Sequence, residues 1–418
     1  MKKLQAPRGT LDVLPQDARR RLKVIATADE VLSRAGYEPM ETPVFEDTEV
    51  FARGVGESTD IVQKEMFTFE DKAGRSLTLR PEATAGICRA YIEHGMHKLA
   101  QPVKVWYAGP FFRHEAPQAG RFRQFTQIDA EAIGSDDPSL DAELILLLDE
   151  ILELAGTGPR RLRLSSLGSR DTRAEYLEEL KRFLRAREDE LSEEVRARID
   201  QNPLRAFDAD HPETQAVMKE APLLLDRLAA DDAEHFAAVR ALLDMAGLEH
   251  ELDPTLVRGL DYYTRTVFEF ESDRLGAQAA LGGGGRYDGL IEELGGPPTP
   301  GVGFAAGIER ILLAAGDVTP ERQPTVFIAM AKPDSGRLAF QLAGLLRREG
   351  FRTEMEQAGR SMKGQLKQAD RVGAYATVIL GDTIEVKDMS SGEQQEASSP
   401  ADVPSLLRSV HEREASAT

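Results

Sequence analysis

The segment that most restricts the fold is PVKVWYAGPFFRHEAPQAGRFRQFTQIDAEAIG, residues 102–134. Two runs rich in β-branched and aromatic residues flank a Gly/Pro/Gln-rich loop around residues 116–120. This pattern is typical of two long antiparallel strands joined by a loop. The first part of the chain is therefore predicted to contain antiparallel sheet.

A further strand is predicted in LVRGLDYYTRTVFEF, residues 256–270, where apolar and polar residues alternate from Thr266 onward. The start of this segment is unusual, because Arg258, Asp261, Tyr262 and Tyr263 form a heavy polar load for a core strand. Buried polar groups need partners, which are supplied either by the protein or by a ligand.

The remaining patterns divide the chain into two domains. Helices are predicted over residues 17–35 and 140–155, and another is predicted to open at Pro81. A helical insertion is expected over about residues 172–250, since Glu, Arg, Leu and Ala dominate there. After a linker, strands alternate with helices, which predicts a small α/β domain with a mixed or parallel sheet. We therefore expect a domain over residues 1–320, which includes the insertion, and a second over residues 325–418, with a frayed end at HEREASAT.

Charge and composition limit the surroundings of the protein. The 418 residues carry a net charge of -19, so any contact with nucleic acid must use local basic patches. Cys88 is the single cysteine, which excludes an internal disulfide and fits a reducing compartment. No stretch approaches the roughly 18 apolar residues of a membrane span. We expect a cytoplasmic protein without a membrane partner.

Arg113, Arg121 and Arg123 flank the hairpin loop, with Glu115 inside it. The planar arginine fork binds phosphate oxygens in pairs, so this cluster predicts either a polyphosphate site or a solvated turn with Arg/Glu pairs.

Three further polar residues occupy alternate positions in the second strand of the predicted hairpin and therefore share a face: Gln127, Asp129 and Glu131. That face is either the floor of a polar site or a solvent-facing sheet.

The glycine-rich segments and two histidines have ordinary interpretations beside the functional ones. LGGGGRYDGL lacks the lysine of a phosphate-binding loop, and the close approach of backbones explains its glycines as well. GVGFAAG, residues 301–307, fits G-x-G-x-x-A and opens a predicted helix, but a Gly/Pro-rich loop precedes it. His94 and His97, one predicted helical turn apart, have no evident third ligand, so we favour a surface or cap role and expect no metal site from the protein alone.

A basic stripe is predicted near the end of the chain. Its four residues follow at intervals compatible with one helix face, while Met362, Leu366 and Ala369 take another face. The stripe is either a contact for a phosphate backbone or a solvated helix face. Its members are Arg360, Lys363, Lys367 and Arg371.

Taken together, these segments resemble the class II aminoacyl-tRNA synthetases, and specifically the histidyl-tRNA synthetase family. The motifs that define the class appear in order in YEPMETPVFED with Pro43, in the arginine-bearing hairpin, and in GVGFAAGIERIL with Arg310. LVRGLDYYTRTVFEF and GGGRYDGL match the motifs of the histidine family, and GRSMKGQLKQADRVGA matches its anticodon-binding domain. The departures are Ala83 in place of glycine, and Leu281 with an extra glycine before GGGRYDGL.

The resemblance implies a role for each matching residue. Arg113 and Arg258 are the expected catalytic pair at the α-phosphate and the carboxylate, and Glu131 with Tyr263 is expected to face the imidazole of histidine. Glu82, Thr84 and Gln127 are expected at the amino and carboxylate end. The full histidine-binding set is Glu82, Ala83, Thr84, Gln127, Glu131, Tyr262, Tyr263 and Tyr287, and the ATP-binding set is Arg113, Glu115, Arg121, Arg123 and Arg310.

The implied fold is α+β, with an antiparallel catalytic sheet of about six strands flanked by helices, a helical insertion and a C-terminal α/β anticodon-binding domain. The implied reaction joins histidine to tRNA(His) through histidyl-adenylate, with ATP as substrate, Mg²⁺ bridging its phosphates, and a homodimer as the working form. Two other functions remain as alternatives. One is a non-catalytic histidine-binding paralogue that acts as a regulatory subunit of ATP phosphoribosyltransferase, and the other is a plain RNA-binding protein.

Overall fold

A computed structural model of the chain describes residues 3–56, 59–117, 120–256, 259–276, 279–316 and 324–417. The chain forms two compact units, Met1–Val318 and Thr319–Thr418. Each unit has its own sheet and its own core.

The first unit is built on a large, mostly antiparallel sheet with helices around it, which confirms the predicted α+β class. In the described residues this sheet has eight strands in the order β1-β5-β6-β11-β10-β9-β7-β8, and a smaller sheet has the order β2-β4-β3. The strands are β1 (Glu38–Pro39), β2 (Phe45–Asp47), β3 (Phe67–Glu70), β4 (Ser76–Leu79), β5 (Val103–Phe112), β6 (Gln124–Ile133), β7 (Arg161–Ser166), β8 (Glu251–Leu252), β9 (Thr264–Glu271), β10 (Ala280–Arg286) and β11 (Gly301–Gly307).

The glycine-rich strand β10 lies between β9 and β11 and needs its glycines for packing. A Cβ added at Gly284 would overlap the backbone carbonyl of Gly303, and one at Gly285 would lie 2.5 Å from the carbonyl oxygen of Thr266. The interpretation of these glycines as sites of close backbone approach is therefore confirmed. GVGFAAG was predicted to open a helix. A helix does begin directly after it, at Ile308, but the segment itself forms β11 and pairs with both β6 and β10.

Helices of the first unit cover the sheet and form the predicted helical insertion. They are α1 (Pro15–Arg34), α2 (Thr48–Val55), α3 (Thr84–Glu93), α4 (Pro138–Leu154), α5 (Arg170–Ala186), α6 (Glu193–Arg198), α7 (Pro212–Met218), α8 (Ala230–Met245), α9 (Leu290–Glu293) and α10 (Ile308–Ala315). The helix predicted at Pro81 begins at Thr84 instead, because the Glu82 carboxylate accepts hydrogen bonds from the first two backbone N–H groups, those of Thr84 and Ala85.

The second unit is an α/β domain with a mixed sheet, as predicted. Its strand order is β13-β12-β14-β15-β16, with β12 parallel to β13 and β14 and antiparallel pairing beyond β14. The end of the chain, predicted to fray, is helical to Ala417. The elements are β12 (Thr325–Met330), α11 (Gly336–Arg348), β13 (Arg352–Met355), α12 (Met362–Arg371), β14 (Ala374–Leu380), β15 (Ile384–Asp388), β16 (Gln394–Ala397) and α13 (Val403–Ala417).

Candidate active site

Two neighbouring cavities open over the face of the first unit's large sheet that carries Gln127, Asp129 and Glu131. The larger has a volume of 450 Å³ and the smaller a volume of 140 Å³. Arg113 and Gln127 line both of them, so they mark the place where the cavities meet.

Small residues on the adjacent strand create this space. Gly307, Ala305 and Gly303 of β11 pair directly with Gln127, Asp129 and Glu131 of β6, and directly paired residues lie on the same face of a sheet. A Cβ at Gly303 would overlap the Glu131 carboxylate.

Four arginines line the larger cavity, which we call the nucleotide cavity, beside five carboxylates: Asp60, Glu65, Glu115, Glu269 and Glu309. The arginines are Arg113, Arg121, Arg205 and Arg310. Arg113 donates to the backbone carbonyl of Pro81 at 2.9 Å, and Arg121 lies 3.1 Å from the Glu115 carboxylate. Burial and the neighbouring Arg121 lower the pKa of Arg310, as expected where cations crowd in a partly dry site. The hairpin arginines Arg113 and Arg121 thus line a cavity, as a polyphosphate site requires, and also lie near Glu115, as the Arg/Glu pairs of a solvated turn would.

One of the expected arginines, Arg123, stands apart from this group. Arg123 does not line the nucleotide cavity: its backbone N–H donates to Gly9, and its side-chain Nε donates to the carbonyl of Glu115 at 3.3 Å. Arg258, expected to be the second catalytic arginine, lies outside the described residues.

The smaller cavity, which we call the acidic cavity, is lined by buried tyrosines and carboxylates. Tyr262 donates to Glu82 at 3.3 Å, and Glu82 is held by its two backbone hydrogen bonds at the start of α3. Tyr263 also lines the cavity, and its ring lies 4.7 Å from that of Tyr262. Ala83, expected in the same set, is buried and precedes the first residue of α3.

Glu131 does not itself line the acidic cavity, but it is hydrogen-bonded to two residues that do. It accepts from the Thr84 hydroxyl at 2.6 Å and from the Tyr287 hydroxyl at 2.5 Å, and both of these donors line the cavity. Burial raises the pKa of Glu131 to about 8, against the opposing effect of these hydrogen bonds. Asp129 and Glu131 are each 1% exposed, so their strand face is the floor of a polar site rather than a solvent-facing surface.

The backbone that carries the two tyrosines is held from behind by the helical insertion. Arg173 of α5 donates to the carbonyl oxygens of Asp261 and Tyr263, both at 3.1 Å. On the far side of the cavity, Arg286 forms a fully buried ion pair with Asp141 of α4, and this fixes the end of β10 next to Tyr287. The insertion and the helices outside the sheet therefore determine where the tyrosines lie.

Sequence patterns did not reveal several residues of the nucleotide cavity. Arg205 comes from the insertion and lies 3.6 Å from Asp60, and both residues line the cavity. Glu65 ends a π-helical turn, Ile61–Glu65, and burial raises its pKa. Turns of this type are frequent at functional sites. Tertiary folding alone brings these residues together, and no local pattern marks them.

The histidines and the basic stripe lie away from these cavities. His94 and His97 are exposed and follow the end of α3, so the prediction that one helical turn separates them was wrong. No group of three or more His, Cys, Asp or Glu side chains in the described part of the chain could hold a metal ion. Lys363, Lys367 and Arg371 are exposed on α12.

Arg360 was predicted on the same helix face, but it precedes α12 and lies 3.1 Å from the buried Glu356 carboxylate. None of the described helices is long and apolar enough to cross a membrane.

Comparison with known proteins identifies this architecture. The S. aureus apo histidyl-tRNA synthetase superimposes with a TM-score of 0.81 at 36% identity, over 97% of this chain and 99% of that one. The fold is thus that of a class II aminoacyl-tRNA synthetase. A family model described as histidyl-tRNA synthetase matches residues 9–311, and one described as an anticodon binding domain matches residues 325–409. The chain belongs to the histidyl-tRNA synthetase family.

Two further relatives place the chain within the family. The histidine–tRNA ligase of Rubrobacter xylanophilus is 49% identical over 407 residues, which are 94% of this chain and 96% of the relative. A structure from Bacillus halodurans, described as an ATP phosphoribosyltransferase regulatory subunit/histidyl-tRNA synthetase, gives a TM-score of 0.67 over 91% of this chain and 98% of that one. Its identity is 22%, so this similarity shows the fold alone.

Proposed function

We propose that the protein is a histidine–tRNA ligase. It activates histidine with ATP to histidyl-adenylate and pyrophosphate, and then transfers histidine to the 3′ end of tRNA(His). The observation that carries the proposal is the junction of the two cavities at Arg113 and Gln127. A carboxylate that enters from the acidic cavity and an α-phosphate that enters from the nucleotide cavity meet there.

The chemistry needs positioning and charge neutralisation rather than a general base. The histidine carboxylate is ionised at neutral pH and attacks the α-phosphorus in line, and pyrophosphate leaves. Arg113 stabilises the charge that builds up on the phosphoryl oxygens, and Arg258 is proposed to do the same. An arginine cannot act as a base here, because it stays protonated. Arg121, Arg310 and Arg123 are the proposed cations for the remaining phosphates, with Glu115 orienting Arg121.

Selection of histidine is proposed to depend on Glu131, Thr84 and the tyrosine cluster. The imidazole has one donor and one acceptor nitrogen, and a site that pairs both nitrogens rejects apolar isosteres by roughly 10⁴-fold, since its own polar groups would be left unpaired. The acidic cavity provides hydroxyl and carboxylate groups, which supports this selection. Glu82, Ala83, Thr84, Gln127, Tyr262, Tyr263 and Tyr287 complete the proposed histidine site.

Mg²⁺ fits the nucleotide cavity as a companion of ATP. This ion is commonly bound through one or two carboxylates together with substrate phosphates, and the Glu115 and Glu269 carboxylates line the cavity. When bound, Mg²⁺ would neutralise phosphate charge and bridge the phosphate oxygens.

The partners and setting of the protein follow from this proposal. The second unit is the proposed anticodon-binding domain. Its candidate contacts to the tRNA backbone are Arg360, which precedes α12, and Lys363, Lys367 and Arg371 of α12. Phe45 is 51% exposed in the segment that contains Pro43 and resembles the first class motif, which supports a homodimer joined at that surface. We place the protein in the cytoplasm, where ATP and tRNA are available.

The regulatory-subunit alternative predicts histidine binding without chemistry. Measuring ATP–pyrophosphate exchange with each amino acid in turn, without tRNA, separates the two functions. A ligase exchanges with histidine alone. If histidine binds but no exchange occurs with any amino acid, the active-site arginines are idle and the ligase proposal fails.

A further inference from the structure

The floor of the acidic cavity contains a buried carboxylate that has no role in the proposed chemistry so far. Asp129 lies on β6 between Gln127 and Glu131, is 1% exposed and lines the acidic cavity. Its partner across the sheet, Ala305, is small and leaves the carboxylate open to the cavity.

The oxygens of Asp129 have no hydrogen-bond donor in the described part of the chain. Its Oδ2 atom is buried without a partner, and so is Oε1 of Gln127, two residues earlier on the same face. The hydroxyls of Tyr262 and Tyr287 are occupied, since Tyr262 donates to Glu82 and Tyr287 donates to Glu131. An unmatched buried acceptor is costly, and an unmatched buried carboxylate more so. The acidic cavity therefore offers two adjacent acceptors to whatever enters it.

The charges around Asp129 favour a cationic occupant. Burial raises the pKa of Asp129 well above its usual range, and the neighbouring Glu131 and Glu82 raise it further, while Arg80 and Arg113 act in the opposite direction. Arg80 donates to the backbone carbonyls of Pro110 and Thr42, and its own Nη2 is buried without a partner in the described part of the chain. A ligand that brings a positive charge would stabilise the ionised carboxylate.

The position of Asp129 along the strand indicates which part of the substrate it meets. Gln127 and Arg113 line both cavities and mark the carboxylate end of the amino acid, whereas Asp129 lines the acidic cavity alone. Asp129 is two residues further along β6, roughly 7 Å deeper. The α-ammonium is bonded to the same carbon that carries the carboxylate, and it has three donors and a full positive charge.

We propose that Asp129, together with the amide oxygen of Gln127, binds the α-ammonium group of the amino acid. Asp129 is thus a further substrate-binding residue, and it makes the site selective for an ionised amine. This inference rests on the proposed function, because it takes histidine as the occupant.

The test uses the full-length chain and three ligands that share the imidazole ring. Histidine and histamine carry the ammonium group, and imidazolepropionate lacks it. Asp129→Asn keeps the shape of the side chain and removes its charge. The variant loses a charge-assisted hydrogen bond to the ammonium group. Affinities for histidine and histamine, measured by calorimetry, should therefore fall roughly 10- to 100-fold, while the affinity for imidazolepropionate stays unchanged.

Controls keep the result interpretable. Asp136→Asn, exposed just beyond the same strand, should bind all three ligands as the unaltered chain does. Asp129→Ser should repeat the pattern of Asp129→Asn, and the fluorescence of Trp106 should confirm that both variants are folded.

Three results would overturn the inference. Equal losses for all three ligands would show that Asp129 supports the imidazole site or the fold. Unchanged affinities would show that it has no contact with the amine. If the unaltered chain does not bind histidine, the proposed function falls too, so the two failures are distinguishable.

Discussion

Replacing Glu131 by Gln should change how stability depends on pH. In the folded, unliganded protein the pKa of Glu131 is raised from 4.5 to about 8, because the carboxylate is buried. Between these two values the folded chain binds a proton that the unfolded chain has released. The contribution of this bound proton to the free energy of unfolding is fully present below pH 4.5 and is lost as pH rises towards 8. Glu131→Gln does not titrate, so this loss is absent in the variant.

The size of the effect follows from the width of this interval. One pKa unit corresponds to about 1.4 kcal/mol, so the difference in unfolding free energy between the original protein and Glu131→Gln should change by on the order of 4 kcal/mol from pH 5 to pH 9. The raised pKa of Glu82 contributes in both proteins and largely cancels in the difference, whereas the pKa of Asp129 should be less raised in Glu131→Gln, because the Glu131 charge is one of its causes.

Urea unfolding of the unliganded protein, followed by tryptophan fluorescence, measures this directly. Trp106 is the single tryptophan, is 6% exposed, and pairs with Ala130 next to Glu131 on β6. It therefore reports unfolding of the first unit. Glu292→Gln, an exposed position on α9, is the matched control and should follow the unaltered protein at every pH. Parallel curves for the unaltered protein and Glu131→Gln would refute the reasoning, since Glu131 would then ionise as easily in the site as in the unfolded chain.

Three other predictions address the fold and the second unit. Asp141→Asn removes the fully buried counter-charge of Arg286, which keeps Asp288 at 3.3 Å, and should lower the unfolding free energy by about 3 to 5 kcal/mol, and an unchanged urea midpoint would contradict this. Gly284→Ala places a methyl group against a neighbouring backbone carbonyl, so it should destabilise the first unit by about 1 to 3 kcal/mol, whereas an unaltered melting temperature would show that the strands can separate. Lys363→Glu with Lys367→Glu should weaken tRNA binding and flatten its salt dependence, and an unaltered salt slope would remove α12 from the tRNA interface.

Local patterns predicted the elements whose signals lie within one segment. The hairpin expected in residues 102–134 is formed by Val103–Phe112 and Gln124–Ile133, because alternation and turn residues are both local signals. Patterns failed where a distant contact decided the outcome. GVGFAAG was predicted to open a helix, yet the segment itself is a strand, because β6 and β10 pair with its two edges.

The candidate site divides in the same way. Gln127, Asp129 and Glu131 could be grouped from their spacing, because residues two apart on a strand share a face. Their burial could not be predicted, since it depends on β11, which supplies small residues from a segment more than 150 positions away. Arg205 gave no signal at all: it reaches the nucleotide cavity only because the helical insertion folds against the turn at Ile61–Glu65.

The central claim is that the two cavities bring the carboxylate of histidine to the α-phosphate of ATP. Rapid mixing of the protein with histidine and α-labelled ATP, without tRNA, and separation of the quenched products tests this claim most directly. The account predicts an early burst of labelled histidyl-adenylate, at most one equivalent per active site, which disappears with release of AMP when tRNA(His) is added. If ATP and histidine both bind but no adenylate forms, the cavities do not align the reacting groups, and the account is contradicted.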